Sequence, residues 1–235
     1  MKKKIALVCC RGGSIGIKHK NIKKFNEKPL LYWTYKNINQ SDLFDKIFLS
    51  TDDKKIAEYG IKLGFEVPQL RPKNLAKNNS DVFDTHKFFF KKNNINNKNS
   101  IACIINNNPF ISSKIIRQTF NKFKNNNFKF ITMCAIPVSH DQVFFRQSKI
   151  INKRLFPLFK NKLIKSKINR QQNSTTYVNI GDIRWGKPSK LTNYKQFNIE
   201  ICKKGFEYLS LDNKIYHDLN TLNDWKIAEN KFIRL

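Results

Sequence analysis

The stretch IALVCCRGGSIG at residues 5–16 decides the fold of this 235-residue chain. Its first five residues form a continuous apolar run, which is typical of a strand buried on both faces of a sheet. A loop that contains three glycines follows at once and continues through Asn21. The sequence therefore predicts a chain that opens with a buried strand and presents a glycine-rich loop at the carboxyl end of that strand.

Outward from this start, short apolar strands alternate with helical patterns. Further strands are predicted at residues 47–49, 65–67, 101–105 and 130–136. Helices are predicted at residues 30–40, 54–63, 81–92, 113–123 and 223–232. Strands and helices at this spacing form right-handed βαβ units, so we expect an α/β fold with a mostly parallel sheet and helices on both faces.

The regular pattern changes after Pro137, where the sequence breaks up into short β-like pieces. This change indicates an arm, approximately residues 137–167, inserted before a C-terminal strand and helix. A chain of this length can bury one large hydrophobic core, and we expect a single domain over residues 1–235.

The net charge of +28 offers two interpretations. An excess of this size is typical of proteins that bind nucleic acid or another polyanion. However, Lys, Asn, Ile and Phe all have A/T-rich codons and are all abundant here, so a coding bias would also produce the excess. Lysines are scattered along the whole chain and outnumber the arginines that usually read phosphates. The compositional interpretation is therefore favoured, and a nucleic-acid partner is not expected.

Hydropathy and cysteine content bear on the location of the protein. No apolar run approaches the roughly 20 residues of a membrane-spanning helix, so no membrane partner is expected. Five cysteines without the spacing of a disulfide framework favour reduced thiols and a cytoplasmic location.

The glycine loop is the first candidate for chemistry. Glycines let backbone N–H groups approach a phosphate closely, and the Arg11 guanidinium adds a fork of donors. Lys20 and Asn21 add a second cation and an amide. The loop matches neither the Walker A nor the dinucleotide-binding pattern, which excludes both as assignments. A glycine loop can also be a simple tight turn, but with both cations present polyphosphate binding is favoured.

Ligands of parallel sheets bind beyond the carboxyl ends of the strands. By that rule four loops share one rim: residues 11–21, residues 50–53, residues 106–109 and the stretch that begins at Pro137. The candidate binding surface is therefore assembled from distant parts of the sequence.

A second candidate is HDLNT at residues 217–221, just before the last predicted helix. Mg²⁺ is typically held by one or two carboxylates together with substrate phosphates, so Asp218 is a possible ligand. The same residue types also suit a helix N-cap or a turn, and the local sequence alone favours that structural role. The four histidines show neither metal-binding spacing nor a catalytic arrangement, and His86 is expected to be a satisfied or solvent-facing residue of a helix.

Taken in order, these motifs resemble the cytidylyltransferases that activate nonulosonic acids (acylneuraminic, pseudaminic and legionaminic acids) as CMP-sugars. Residues 10–22 are similar to the family's ARGGSKGIPxKNI signature, and residues 45–53 to its VSTDDEEIA segment. The remaining matches are KPLL at 28–31, RPKNLA at 71–76, NNPF at 107–110, RQQ at 170–172, the glycine and WG pair at 181–186, and YHDLNT with DW at 216–225. The resemblance covers nearly the whole chain.

The resemblance implies one Rossmann-like nucleotidyltransferase domain whose arm contributes to a homodimer. It implies transfer of CMP from CTP to the anomeric hydroxyl of a nine-carbon keto-acid sugar, with pyrophosphate as the second product and Mg²⁺ as cofactor. The implied nucleotide-binding residues are Arg11, Gly12, Gly13, Ser14, Lys20, Asn21 and Arg71. The implied catalytic residues are Arg11, Lys20 and Asp218, the sugar-binding residues Asn107, Arg170 and Gln171, and the metal ligands Asp218 and Asn220.

Four positions depart from the family pattern. Ile15 replaces a lysine, Lys18 a proline, Asn107 a threonine, and Asn220 the second metal carboxylate. An amide oxygen is a neutral ligand and should bind Mg²⁺ more weakly than a carboxylate. Alternatives to the main assignment are therefore an impaired homologue that binds CTP or sugar without turnover, and a 3-deoxy-manno-octulosonate cytidylyltransferase.

Overall fold

The structure, a computed structural model, describes residues 2–138, 148–151, 154–158, 176–213 and 215–233. The strands are β1 (Lys3–Cys9), β2 (Lys24–Phe25), β3 (Lys28–Pro29), β4 (Lys46–Ser50), β5 (Ser100–Ile105), β6 (Thr132–Pro137), β7 (Ser148–Ile151), β8 (Arg154–Pro157), β9 (Tyr177–Gly186) and β10 (Glu207–Ser210). The helices are α1 (Leu30–Ser41), α2 (Lys54–Leu63), α3 (Val82–Lys92), α4 (Ser113–Asn125), α5 (Tyr194–Lys204) and α6 (Leu222–Phe232). Within the described ranges no helix combines the length and hydropathy needed to cross a membrane.

Six strands form the central sheet in the order β10-β6-β9-β5-β1-β4. β1 pairs in parallel with β4 and β5, and β6 pairs in parallel with β10. β9 is antiparallel to both of its neighbours, β5 and β6. The expected mostly parallel α/β sheet is thus confirmed. Because β9 runs in the opposite direction, its first half lies at the edge where β5 and β6 end.

Alternate residues of a strand point to opposite faces of the sheet, and the core is divided accordingly. On one face α1, α2 and α4 pack through a cluster that includes Leu31, Ile56 and Ile116. On the other face α3 and α5 pack through Phe83 and Phe197. The central residues of β1 are buried on both sides, so this strand joins the two clusters.

Local signals set the bounds of α2 correctly. The Asp53 carboxylate caps the helix by accepting a hydrogen bond of 3.0 Å from the backbone N–H of Ile56. Gly64 ends the helix with φ of 111°, a left-handed conformation that glycine adopts without strain. The prediction of a helix over residues 54–63 is confirmed.

The prediction of a strand at residues 65–67 is wrong. Only one bridge forms there, between Glu66 and Phe48. Gly64 and Pro68 both interrupt regular structure, so only three residues remain between them. Proline also has no backbone N–H that could donate to a neighbouring strand. The segment still covers the outer edge of β4 through the N–H and carbonyl of Glu66.

Two elements of the second half were not predicted, the central strand β9 and helix α5. Within the range predicted for the arm, the structure describes the antiparallel pair β7–β8, which is separate from the central sheet. Arg170 and Gln171, proposed from the resemblance as sugar contacts, lie outside the described residues.

Candidate active site

A cleft of about 650 Å³ lies at the edge where β1 and β5 end. Its lining combines the glycine loop, the loop after β5, the first half of β9 and the segment before α6. Seven of the residues predicted from the sequence line this one cleft: Arg11, Ser14, Lys20, Asn21, Asn107, Asp218 and Asn220. The expectation of a shared rim is therefore confirmed for the loops at residues 11–21 and 106–109, whereas residues 50–53 are not part of the cleft lining.

Contacts to three other segments hold the glycine loop in place. The backbone N–H of Gly12 donates to Asp52 Oδ1 at 3.0 Å, and the Arg11 guanidinium donates to Asn78 Oδ1 at 2.8 Å. At Gly16 an added Cβ would lie 2.0 Å from the backbone oxygen of Asn220, so only glycine fits this backbone-to-backbone contact. Gly13 lines a neighbouring open depression of about 390 Å³.

Lys20 crosses from the glycine loop to the segment before α6, where its ammonium donates to the carbonyl of Leu219. Burial lowers the pKa of Lys20, while the nearby carboxylates of Asp218 and Asp182 act in the opposite direction. The lysine therefore presents a partly desolvated positive charge in the cleft, where an anionic ligand would feel it strongly.

A chain of amide contacts supports the glycine loop from behind. Asn21 Nδ2 donates to the carbonyl of Arg11 at 2.8 Å. Asn107 Nδ2 donates to Asn21 Oδ1 at 3.0 Å, and Asn107 Oδ1 accepts from the hydroxyl of Thr34 at 2.7 Å. The structure thus gives Asn107 a supporting position beneath the loop, in addition to its place in the cleft lining.

The segment before α6 caps that helix and also contributes to the cleft lining. Thr221 is the N-cap of α6 and forms a reciprocal capping box with Asp224. Asp218 and Asn220 nevertheless line the cleft, with Asn220 Nδ2 donating to Asp218 Oδ2 at 2.9 Å. One carboxylate and one amide carbonyl are hard oxygen donors of the kind that Mg²⁺ prefers.

Arg71 is placed differently from the other predicted nucleotide contacts. It is 7% exposed, and its guanidinium donates to the carbonyl and the hydroxyl of Ser50 at 2.6 and 3.2 Å. Arg71 therefore secures the end of β4, and it lies outside the set of residues that line the cleft.

Ile15 has 72% of its surface exposed. The family that the sequence resembles carries a lysine at this position. The exposed apolar side chain lines the same cleft as Asn220. The two departures that remove a charge therefore occur at the same site. Ile15 replaces a positive charge, and Asn220 replaces a negative one.

Sequence reasoning missed Asp182 of β9, a carboxylate in the cleft wall that is 8% exposed. Asp182 Oδ2 accepts from the Tyr216 hydroxyl at 2.7 Å and from Asn108 Nδ2 at 2.6 Å. Its other oxygen, Oδ1, accepts from Asn106 Nδ2 at 3.0 Å. The only available signal was its position within residues 181–186, which resemble a family motif through the glycine and the WG pair rather than the aspartate.

Comparison with known proteins identifies the family of this chain. A family model described as cytidylyltransferase matches residues 5–154, which is more than half of the chain. The chain belongs to the cytidylyltransferase family. It is 33% identical over 133 residues to the pseudaminic acid cytidylyltransferase of Campylobacter jejuni, an alignment that covers 55% of this chain and 56% of that protein. It is 39% identical over 72 residues to the CMP-N,N'-diacetyllegionaminic acid synthase of the same species, covering 31% of each.

The chain thus spans about half the length of the pseudaminic acid cytidylyltransferase that it matches. Among solved structures, CMP:2-keto-3-deoxy-manno-octonic acid synthetase in complex with CTP superposes with a TM-score of 0.74 and 13% identity, covering 99% of both chains. A 4-diphosphocytidyl-2C-methyl-D-erythritol synthase superposes with a TM-score of 0.67 and 10% identity, again over 99% of both chains. At these identities the likeness shows that this cytidylyltransferase-family chain has the nucleotidyltransferase fold.

Proposed function

We propose that the protein transfers CMP from CTP to the anomeric hydroxyl of a nonulosonic acid, with an acid of the pseudaminic type as the first candidate. The observation that carries this proposal is the gathering of the glycine loop, Lys20 and Asp218 around one cleft. The sequence similarity to pseudaminic acid cytidylyltransferase supports the choice of sugar.

In the proposed reaction the anomeric oxygen forms a bond to the α-phosphorus of CTP. The bond from that phosphorus to the oxygen bridging the α and β phosphates breaks, pyrophosphate leaves, and the hydroxyl proton is released. Phosphoryl transfer of this type is catalysed mainly by positioning and charge stabilisation. Arg11 and Lys20 are the cations that would receive the triphosphate, with the loop N–H groups beside them.

The donors in the cleft also fit the proposed cofactor, Mg²⁺. Asp218 and Asn220 would hold the ion, and substrate phosphates would complete its coordination. When bound, Mg²⁺ would neutralise charge on the triphosphate and the leaving pyrophosphate. The neutral amide of Asn220 implies weaker binding than two carboxylates would give.

An apolar part of the cleft lining suits a sugar with methyl-bearing groups. Ile136 of β6 and Val178 of β9 are paired in register, and both line the cleft together with Ile180. Val178 is 52% exposed, so acyl or deoxy methyl groups packed against it would remove apolar surface from water. The neighbouring amides of Asn106 and Asn179 would serve the polar groups of the same sugar.

The deciding experiment measures pyrophosphate release from CTP and Mg²⁺ with pseudaminic, legionaminic and N-acetylneuraminic acids and 3-deoxy-manno-octulosonate. Turnover with one nonulosonic acid, abolished in Asp218→Ala, is the expected result. Turnover with 3-deoxy-manno-octulosonate alone would instead show that the protein is a 3-deoxy-manno-octulosonate cytidylyltransferase. Control reactions replace CTP with UTP or ATP.

A second candidate is an impaired homologue that binds CTP without turnover. The exposed Ile15 and the amide of Asn220 favour it, because each removes a charge from the cleft. CTP binding by calorimetry, without pyrophosphate release from CTP in the presence of any of the four sugars, would support this candidate. The homodimer and the cytoplasmic location stay predictions.

A further inference from the structure

Asp182 connects two loops of the cleft that are far apart in sequence. Its donors Asn106 and Asn108 belong to the loop after β5, whereas Tyr216 belongs to the segment before α6. The backbone carbonyl of Asp182 also accepts from the N–H of Asn106 at 2.8 Å. The side chain and backbone of one residue thus join β9 to both loops.

A second route leads from Asp182 toward Asp218. Asn108 Nδ2, which donates to Asp182, also donates to the carbonyl of His217 at 3.1 Å. Asn108 Oδ1 accepts from the N–H of Phe110 at 3.0 Å, which fixes the orientation of the amide. Asp182 therefore holds the two residues before Asp218, one through the Tyr216 hydroxyl and the other through Asn108.

The carboxylate of Asp182 suits the hydrogen-bond donors that surround it. Among the described residues, the three side chains that hydrogen-bond to the Asp182 carboxylate are all donors, and an ionised carboxylate accepts at both of its oxygens. An amide in its place would present an N–H to one of the donors and lose that contact.

We propose that Asp182 is a positioning residue that fixes the segment at residues 216–218 and thereby orients the Asp218 carboxylate toward the metal–nucleotide complex. This inference rests on the proposed function. Residues that orient a metal ligand typically change metal affinity or activity by about 10- to 100-fold when they are replaced.

The test compares Asp182→Asn and Tyr216→Phe with the wild-type full-length chain. Binding of Mn²⁺, as a spectroscopic substitute for Mg²⁺, is measured in the presence of CTP from the electron paramagnetic resonance signal of free Mn²⁺. We expect Mn²⁺ to bind on the order of tenfold more weakly to Asp182→Asn and several-fold more weakly to Tyr216→Phe. Binding of CTP without metal, measured by calorimetry, should change by less than about twofold, because other residues support the glycine loop.

Two controls separate positioning from simpler effects. Tyr216→Phe keeps the charge of Asp182, so weaker Mn²⁺ binding in that variant reports lost positioning. Asp84→Asn removes one exposed carboxylate of α3, outside the cleft, and should bind Mn²⁺ as the wild type does. In the double variant Asp182→Asn/Tyr216→Phe the loss should be smaller than the product of the single losses, because both act through one contact.

Each contrary outcome has a distinct meaning. A raised KM for the sugar with unchanged Mn²⁺ binding would overturn the inference in favour of direct sugar contact. A lowered melting temperature with unchanged Mn²⁺ binding would reduce Asp182 to a purely structural role. A wild-type chain that binds Mn²⁺ and CTP but releases no pyrophosphate would refute only the proposed function, whereas one that binds neither would overturn both.

Discussion

Arg11 shows how much of the candidate chemistry depends on a single side chain. Arg11 lines the cleft, and its guanidinium has one hydrogen-bonding partner among the described residues, Asn78 Oδ1 at 2.8 Å. A guanidinium presents five donors, so this bond leaves donors available for phosphate oxygens. Lys20 differs, because its ammonium is already engaged with the carbonyl of Leu219.

The first prediction concerns this guanidinium. Arg11→Ala should lower kcat/KM for pyrophosphate release by about 100-fold or more, because charge stabilisation in the transition state is lost. Asn78→Ala is the matched control, since it removes the hydrogen-bonding partner but keeps the cation, and it should stay within a few-fold of the wild type. Near-normal turnover in Arg11→Ala would refute the assignment of the phosphate loop.

At the scale of elements, the glycine loop and the segment before α6 depend on each other. The backbone at Gly16 packs directly on the carbonyl of Asn220, and Lys20 bonds to Leu219 next to it. Neither segment has enough regular structure to fix itself, so the contact between them helps to set the shape of the cleft.

Two glycine substitutions test this contact. Gly16→Ala would place Cβ 2.0 Å from the Asn220 oxygen, and the resulting displacement should lower the free energy of unfolding by about 1–3 kcal/mol and reduce activity. Gly13→Ala meets no atom within 4 Å and should change stability by less than about 0.5 kcal/mol. Equal effects of the two substitutions, measured by urea unfolding, would argue against loop packing as the cause.

At the scale of the whole molecule, His86 joins α3 to the turn that follows β9. The side chain is 0% exposed, and its Nδ1 lies 2.9 Å from the carbonyl of Leu191. Burial, together with the positive charge of Arg184, lowers the pKa of His86 to about 3. The expectation of a satisfied helix histidine is confirmed for one ring nitrogen, whereas Nε2 is buried and has no partner among the described residues.

This burial predicts a dependence of stability on pH. The unfolded chain binds a proton at His86 below about pH 6.5, whereas the folded chain does so only near pH 3. Stability should therefore fall as the pH drops from 6.5 to 3, by an amount on the order of 4 kcal/mol for this group.

The matched variants for that prediction are His86→Asn and His19→Asn. His86→Asn keeps a donor for Leu191 but does not titrate, so its unfolding free energy should vary less between pH 6.5 and 4. His19 is exposed, and His19→Asn should keep the wild-type dependence. Identical pH profiles for the wild type and His86→Asn would contradict the assignment.

The sequence by itself determined the features that depend on neighbouring residues. The apolar run of β1, the glycine loop and helix α2 all carry local signals, and each was predicted with nearly correct bounds. The collinear motifs also indicated the family. The cleft residues Arg11, Lys20 and Asp218 followed from the same motifs.

Only the tertiary structure decided how these parts meet. β9 is central to the sheet, yet its alternation of apolar and polar residues shifts phase at Gly181 and Asp182, where its pairing with β6 is irregular, so no single two-residue pattern runs along the strand. The bonds from Lys20 to Leu219 and from Asn108 to Asp182 join residues 199 and 74 positions apart. No local pattern specifies such pairs, because burial and hydrogen bonding across the sheet select them only when the whole chain has packed.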